Sequence, residues 1–90
     1  MLRSGWNDRC LEPDQNGLFT DGDKAQLWDC GGIALEAFSI TKNPEGFYRF
    51  QNAYSGRYLE ASKTAPGGGV NGTKAQLWDF VAGATNQWWH

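Results

Sequence analysis

Apolar and polar residues along this chain change over short distances. Phe47-Tyr48-Arg49-Phe50-Gln51 and Gln76-Leu77-Trp78-Asp79-Phe80 alternate or carry aromatic residues, the pattern of half-buried strands. Asn16-Gly17, Asp21-Gly22, Ser55-Gly56 and Asn71-Gly72 punctuate the chain with turn signals. No stretch holds a helical period over three turns. The pattern predicts an all-β fold with several short strands.

The pattern also repeats. Lys24-Ala25-Gln26-Leu27-Trp28-Asp29 recurs unchanged as Lys74-Ala75-Gln76-Leu77-Trp78-Asp79. Upstream, Arg9-Cys10-Leu11-Glu12 matches Arg57-Tyr58-Leu59-Glu60. Downstream, Glu36-Ala37-Phe38 matches Gln87-Trp88-Trp89. Three segments agree in order, and the spacing drifts only in the loop-like stretches 62–73 and 81–85. The chain is an internal duplication, residues 1–45 and 46–90, dividing near Pro44-Glu45-Gly46.

Composition narrows the class. The 90 residues are 40% hydrophobic and 20% charged, a globular balance. No apolar run is long enough to cross a membrane, so membrane insertion is not expected. Met1-Leu2-Arg3-Ser4-Gly5-Trp6 has no apolar core of the signal-peptide kind. So short a chain has a marginal core, which favours staples or partners. The net charge of −2 offers no basic patch for nucleic acid. Its distribution is uneven: residues 1–45 carry net −4 and residues 46–90 net +2, which would suit contact between unlike halves.

The candidate chemistry is sparse. His90 is the only histidine, so a Ser-His-Asp arrangement is not credible. Glu12 and Glu60 occupy equivalent positions in different repeats and should stand too far apart for a glycosidase pair. Asp14, Asn16, Asp21 and Asp23 do not follow an EF-hand loop. The chain is therefore expected not to be an enzyme and to need neither metal nor cofactor. Cys10 and Cys30 form either one disulfide or two free thiols. If they pair across antiparallel strands, Glu12 should lie opposite Trp28, and in the second copy Glu60 opposite Trp78, with Tyr58 and Phe80 filling the place of the cysteines. A carboxylate beside a flat indole suits a sugar, whose C–H face stacks while its hydroxyls donate.

These residues resemble the ricin B-chain-like family, which includes R-type lectins and the family 13 carbohydrate-binding modules. The resemblance rests on Gln26-Leu27-Trp28-Asp29-Cys30 preceded by Arg9-Cys10-Leu11-Glu12. It rests further on Gln76-Leu77-Trp78-Asp79 followed by Asn86-Gln87-Trp88-Trp89. The family's hallmark is a repeat ending in Gln-x-Trp, and three repeats form a β-trefoil. The resemblance implies a sugar site of Glu60, Gln76, Trp78, Asn86 and Gln87, and a weaker counterpart at Glu12, Gln26 and Trp28. It implies a core role for Trp89 and a disulfide between Cys10 and Cys30, which in turn favours secretion to an extracellular, oxidising compartment.

Three departures stand out. The acid is Glu in both copies, where the family uses Asp. Leu35-Glu36-Ala37-Phe38 lacks the amide pair of the second repeat. Two repeats are present where a trefoil has three, which leaves open strand edges and predicts self-association, a homotrimer ahead of a dimer. The function implied is non-catalytic binding of a glycan or small saccharide of galactose type or related sugars. The alternatives are a β-trefoil scaffold that binds protein, such as an inhibitor or toxin-associated module, and a folded repeat fragment without sugar activity.

Overall fold

The computed structural model describes residues 1–17, 20–64 and 69–90. Among them, six strands form one sheet: β1 (Cys10–Pro13), β2 (Asp23–Trp28), β3 (Phe38–Lys42), β4 (Tyr48–Asn52), β5 (Tyr58–Ala61) and β6 (Ala75–Trp78). The order across the sheet is β1-β2-β6-β5-β4-β3, with every described pairing antiparallel. Short 3-10 turns at Gln15–Gly17, Ala34–Glu36 and Thr85–Gln87 complete the regular structure. The all-β expectation holds. The strand expected over 76–80 runs instead from Ala75 to Trp78, and Asp79 and Phe80 lie past its end.

β1 pairs with β2 as β5 pairs with β6, each over four residues in the same relative register. The division near Pro44-Glu45-Gly46 falls at the tip of a hairpin that joins β3 to β4 over five paired residues. That turn closes through Asn43, whose side chain accepts the Phe47 amide at 2.9 Å while its backbone bonds Phe47 and Gly46. Gly46 there has φ +91°, a conformation that costs glycine little. The two halves therefore share one continuous ladder.

The register corrects one expectation. Glu12 stands opposite Gln26 and not Trp28, and Glu60 stands opposite Gln76 and not Trp78. The cause is the position of the disulfide. Cys10 is bonded to Cys30, with Cα atoms 5.2 Å apart, but Cys30 lies beyond the end of β2. The ladder partner of Cys10 is Trp28, so the bond closes the mouth of the hairpin diagonally and shifts the inferred pairing by two residues. In the second copy Tyr58 and Phe80 occupy the cysteines' place, their ring centroids 5.5 Å apart, as the sequence led us to expect.

The interior is more polar than apolar. Among the described residues, the buried apolar set is Cys10, Pro13, Leu35, Leu59, Leu77 and Ala84. Buried with them are Glu12, Glu36, Asn52, Glu60, Gln76 and Gln87. So small an apolar core cannot position loops by packing alone, and hydrogen-bonded side chains share that work. Asn52 is one such tie: it donates to the Leu35 carbonyl at 2.9 Å and accepts the amides of Tyr54 and Ser55, fixing the first repeat's 3-10 turn to the second repeat. Trp89 is another. Its indole donates to the Leu59 carbonyl at 3.0 Å and its backbone pairs with Tyr48, with the side chain half-buried.

Candidate functional site

In the second repeat, β5, β6 and the Thr85–Gln87 turn converge. Side chains at paired positions on neighbouring antiparallel strands share a face, so Glu60 and Gln76 meet directly. Gln76 Nε2 donates to Glu60 Oε2 at 2.8 Å. The 3-10 turn carries Gln87 behind them, and its Nε2 donates to Glu60 Oε1 at 3.1 Å and to the Asp79 carbonyl at 2.9 Å. Gln87 Oε1 accepts the Val81 amide at 3.3 Å. Each oxygen of the buried Glu60 carboxylate is thus held by an amide, which fixes its orientation.

Around this knot lies an open cavity of about 210 Å³. Glu60, Gln76, Trp78 and Asn86 line it together with Lys63, Thr64, Val81 and Ala84. Trp78 presents an exposed indole. Asn86 donates Nδ2 to the Ala61 carbonyl at 2.9 Å, while its Oδ1 is buried without a partner. A buried acceptor of this kind is costly unless something donates to it. The five expected residues come together here, four lining the cavity and Gln87 bracing it from behind. Lys63, Thr64, Val81 and Ala84 were not singled out from the sequence. They sit in the stretches whose length differs between the repeats, and that difference was itself the available signal.

The first repeat builds the same knot with different pieces. Gln26 Nε2 donates to Glu12 Oε2 at 2.9 Å, and Gln15 Nε2 joins it at 3.2 Å. Glu36 takes the place of Gln87: its Oε1 accepts the Gly31 amide at 2.8 Å, as Gln87 Oε1 accepts the Val81 amide. Its other oxygen stands where Gln87 carries its amide nitrogen. Glu12 Oε1 and Glu36 Oε2 are both buried without a partner. Leu35, buried, stands where Asn86 stands. Glu12 and Gln26 are therefore brought together without the amide pair that shapes the second site, while Trp28, at the end of β2, stands opposite Cys10.

Charged groups around the second site are tied to the first repeat. Asp21 Oδ1 accepts from Arg57 Nε and from the Asp79 amide, both at 2.8 Å. Among the described residues no group of three or more metal-ligating side chains gathers, and no helix is long and apolar enough to cross a membrane.

Comparison with known proteins agrees with this geometry. The model of the ricin-type beta-trefoil lectin domain-like family matches residues 2–78. Among solved structures, the chain is similar to a designed 3-fold symmetric protein, ThreeFoil, with a TM-score of 0.76 at 17% identity. That match covers 91% of this chain and 56% of the other, so the chain spans about half the length of that neighbour. At this identity the likeness speaks to fold alone, and the fold is that of β-trefoil repeats arranged as a six-stranded half-barrel. No curated protein matches the chain.

Proposed function

We propose that this chain, which belongs to the family of ricin-type beta-trefoil lectin-like domains, binds a glycan non-catalytically through the cavity of its second repeat. Membership suggests carbohydrate binding at the level of the family, whose domains are generally non-catalytic. The observation that carries the reading to this site is that an exposed Trp78 indole lines one cavity together with Glu60, Gln76 and Asn86.

The parts suit a single sugar ring. The cavity, about 210 Å³, is smaller than the roughly 300–1,000 Å³ of sites for drug-sized molecules. The indole offers a flat apolar face for pyranose C–H groups. Asn86 Oδ1 and the remaining lone pairs of Glu60 accept hydroxyl hydrogens, and Lys63, Thr64 and Gln76 offer donors at the edge. Gln87, fully buried, positions Glu60 without reaching the sugar itself. A galactose-type sugar, with apolar C–H groups grouped on one face, fits such a platform.

The reading extends to assembly and location. β1 and β3 end the sheet as edges, and Leu27, Trp28, Ile33, Ile40 and Phe80 are exposed. Association of copies of this chain, a trimer in preference to a dimer, would cover such edges and repeat the site, raising avidity. The Cys10–Cys30 bond suits an oxidising, extracellular setting. A glycan array tests the function: retention on galactose-terminated glycans supports it, and silence across all glycans contradicts it.

A further inference from the structure

The two repeats carry the same hexapeptide, yet only one copy of it is covered within the described residues. The covering piece is the turn from Asp21 to Lys24. Gly22 donates its amide to the Leu77 carbonyl at 2.9 Å. Asp23 pairs with Leu77 and Lys24 with Gln76. Asp21 holds the Asp79 amide and Arg57, and Lys74 Nζ reaches the Gly22 carbonyl at 3.4 Å. A Cβ added at Gly22 would stand 3.6 Å from the Trp78 ring, so the turn backs directly onto the indole of the sugar site.

The equivalent edge of the first repeat lies open. Leu27 is 40% exposed where Leu77 is 0%, and Trp28 is 54% exposed where Trp78 is 36%. The Arg9 side chain is 50% exposed against 23% for Arg57. Arg9 reaches Asp29 at 3.4 Å, as Arg57 reaches Asp79 at 3.5 Å. The chain also holds a second turn of the covering kind. Asn71-Gly72-Thr73-Lys74 matches Asp21-Gly22-Asp23-Lys24. Gly72 and Gly22 share a left-handed backbone, φ +89° and +88°. Asn71 and Gly72 are exposed, and nothing lies within 4 Å of a Cβ added at Gly72.

We propose that the Asn71–Lys74 turn of one copy docks on Arg9, Leu27, Trp28 and Asp29 of a second copy, in the geometry of the internal junction. The Gly72 amide then donates to the Leu27 carbonyl. Asn71 Oδ1 accepts from the Asp29 amide and from Arg9, and Lys24 Nζ reaches the Gly72 carbonyl. Gly72 backs onto Trp28 and gives the first repeat's indole the support that Trp78 already has. The contact joins two different surfaces. It brings the net-positive second half of one chain against the net-negative first half of another. The inference rests on the self-association proposed above and names the surface that performs it. Neutral Asn71 in place of Asp21 makes this contact weaker than its internal template.

Sedimentation equilibrium of the full chain without glycan tests the surface. Wild type should exceed 10.0 kDa in mass, increasingly so across the micromolar range. Leu27→Arg should weaken association about tenfold or more, with the dilute protein melting as wild type does, because Leu27 is exposed in the single chain. Asn71→Asp should tighten association several-fold, and adding Arg9→Ala should erase that gain. Association that ignores Leu27→Arg and Asn71→Asp overturns this surface and leaves self-association standing. A folded 10.0 kDa species at every concentration, in wild type and Asn71→Asp alike, overturns both. Neither outcome touches sugar binding at Trp78, which is read separately.

Discussion

Gln87 and Glu60 lie 27 residues apart in sequence and 3.1 Å apart in space, amide nitrogen to carboxylate oxygen. That one bond connects the end of the second repeat to its central hairpin and orients the acid of the proposed sugar site. In the first repeat Glu36 replaces the amide, and the acid it should hold keeps a buried oxygen without a partner.

Glu36→Gln should therefore stabilise the protein. The new amide supplies a hydrogen to Glu12 Oε1 while keeping the bond from the Gly31 amide. Satisfying a buried polar group gains about 1–3 kcal/mol, and each kcal/mol raises Tm by about 4–8 °C in a domain of this size. Gln87→Glu should lose stability by a similar amount in the second repeat. Thermal unfolding of the two variants checks the opposite signs, and equal effects would count against the equivalence of the two turns.

Asn86→Leu makes the second site resemble the first at this position. The substitution removes the cavity's unpartnered acceptor and one donor to Ala61. Stability should fall by about 1 kcal/mol for the lost hydrogen bond, whereas sugar affinity should fall at least about tenfold, or 1.4 kcal/mol. Titration calorimetry on the folded variant separates the two losses.

Reduction of the Cys10–Cys30 bond, or Cys10→Ala with Cys30→Ala, opens a loop of 20 residues. The loss should be about 3 kcal/mol. Urea unfolding with and without reductant measures it. Glycan binding at the second repeat should persist wherever the reduced chain remains folded, because Tyr58 and Phe80 do the packing there.

Acid should loosen the junction between the repeats. Burial raises the Asp21 carboxyl, but the hydrogen bonds from Arg57 and the Asp79 amide, with the charge of Arg57, outweigh it and hold the group below the ordinary carboxylate range. A depressed folded value means that Asp21 contributes its full stabilisation above the unfolded value of about 3.9 and loses it as pH falls through the folded value. Asp21→Asn should flatten this part of the stability curve below about pH 4. Urea midpoints measured across the acid range read the difference, which is modest because the group is partly exposed.

Much of the fold was legible because repetition encodes it. Residue types spaced alike in two copies gave the paired hairpins, the disulfide by resemblance, and the aromatic substitutes at Tyr58 and Phe80. The register was misjudged because a disulfide does not require its cysteines to face one another: Cys30 reaches Cys10 from past the end of β2. The core role of polar groups was also hidden. Glu12, Glu36 and Gln87 look like surface or ligand-facing residues in sequence, yet all three are buried, Glu12 bonded to Gln26, Glu36 to the Gly31 amide and Gln87 to Glu60, because so small an apolar core leaves the interior to polar side chains. Lys63 and Thr64 lacked a pattern because loops vary between the copies.

The most direct measurement is a calorimetric titration of galactose into wild type, Trp28→Ala and Trp78→Ala. Binding by wild type and by Trp28→Ala, with loss in a folded Trp78→Ala, is the predicted result. Undiminished binding by Trp78→Ala, or no binding by the wild type, would contradict a sugar site in the second repeat.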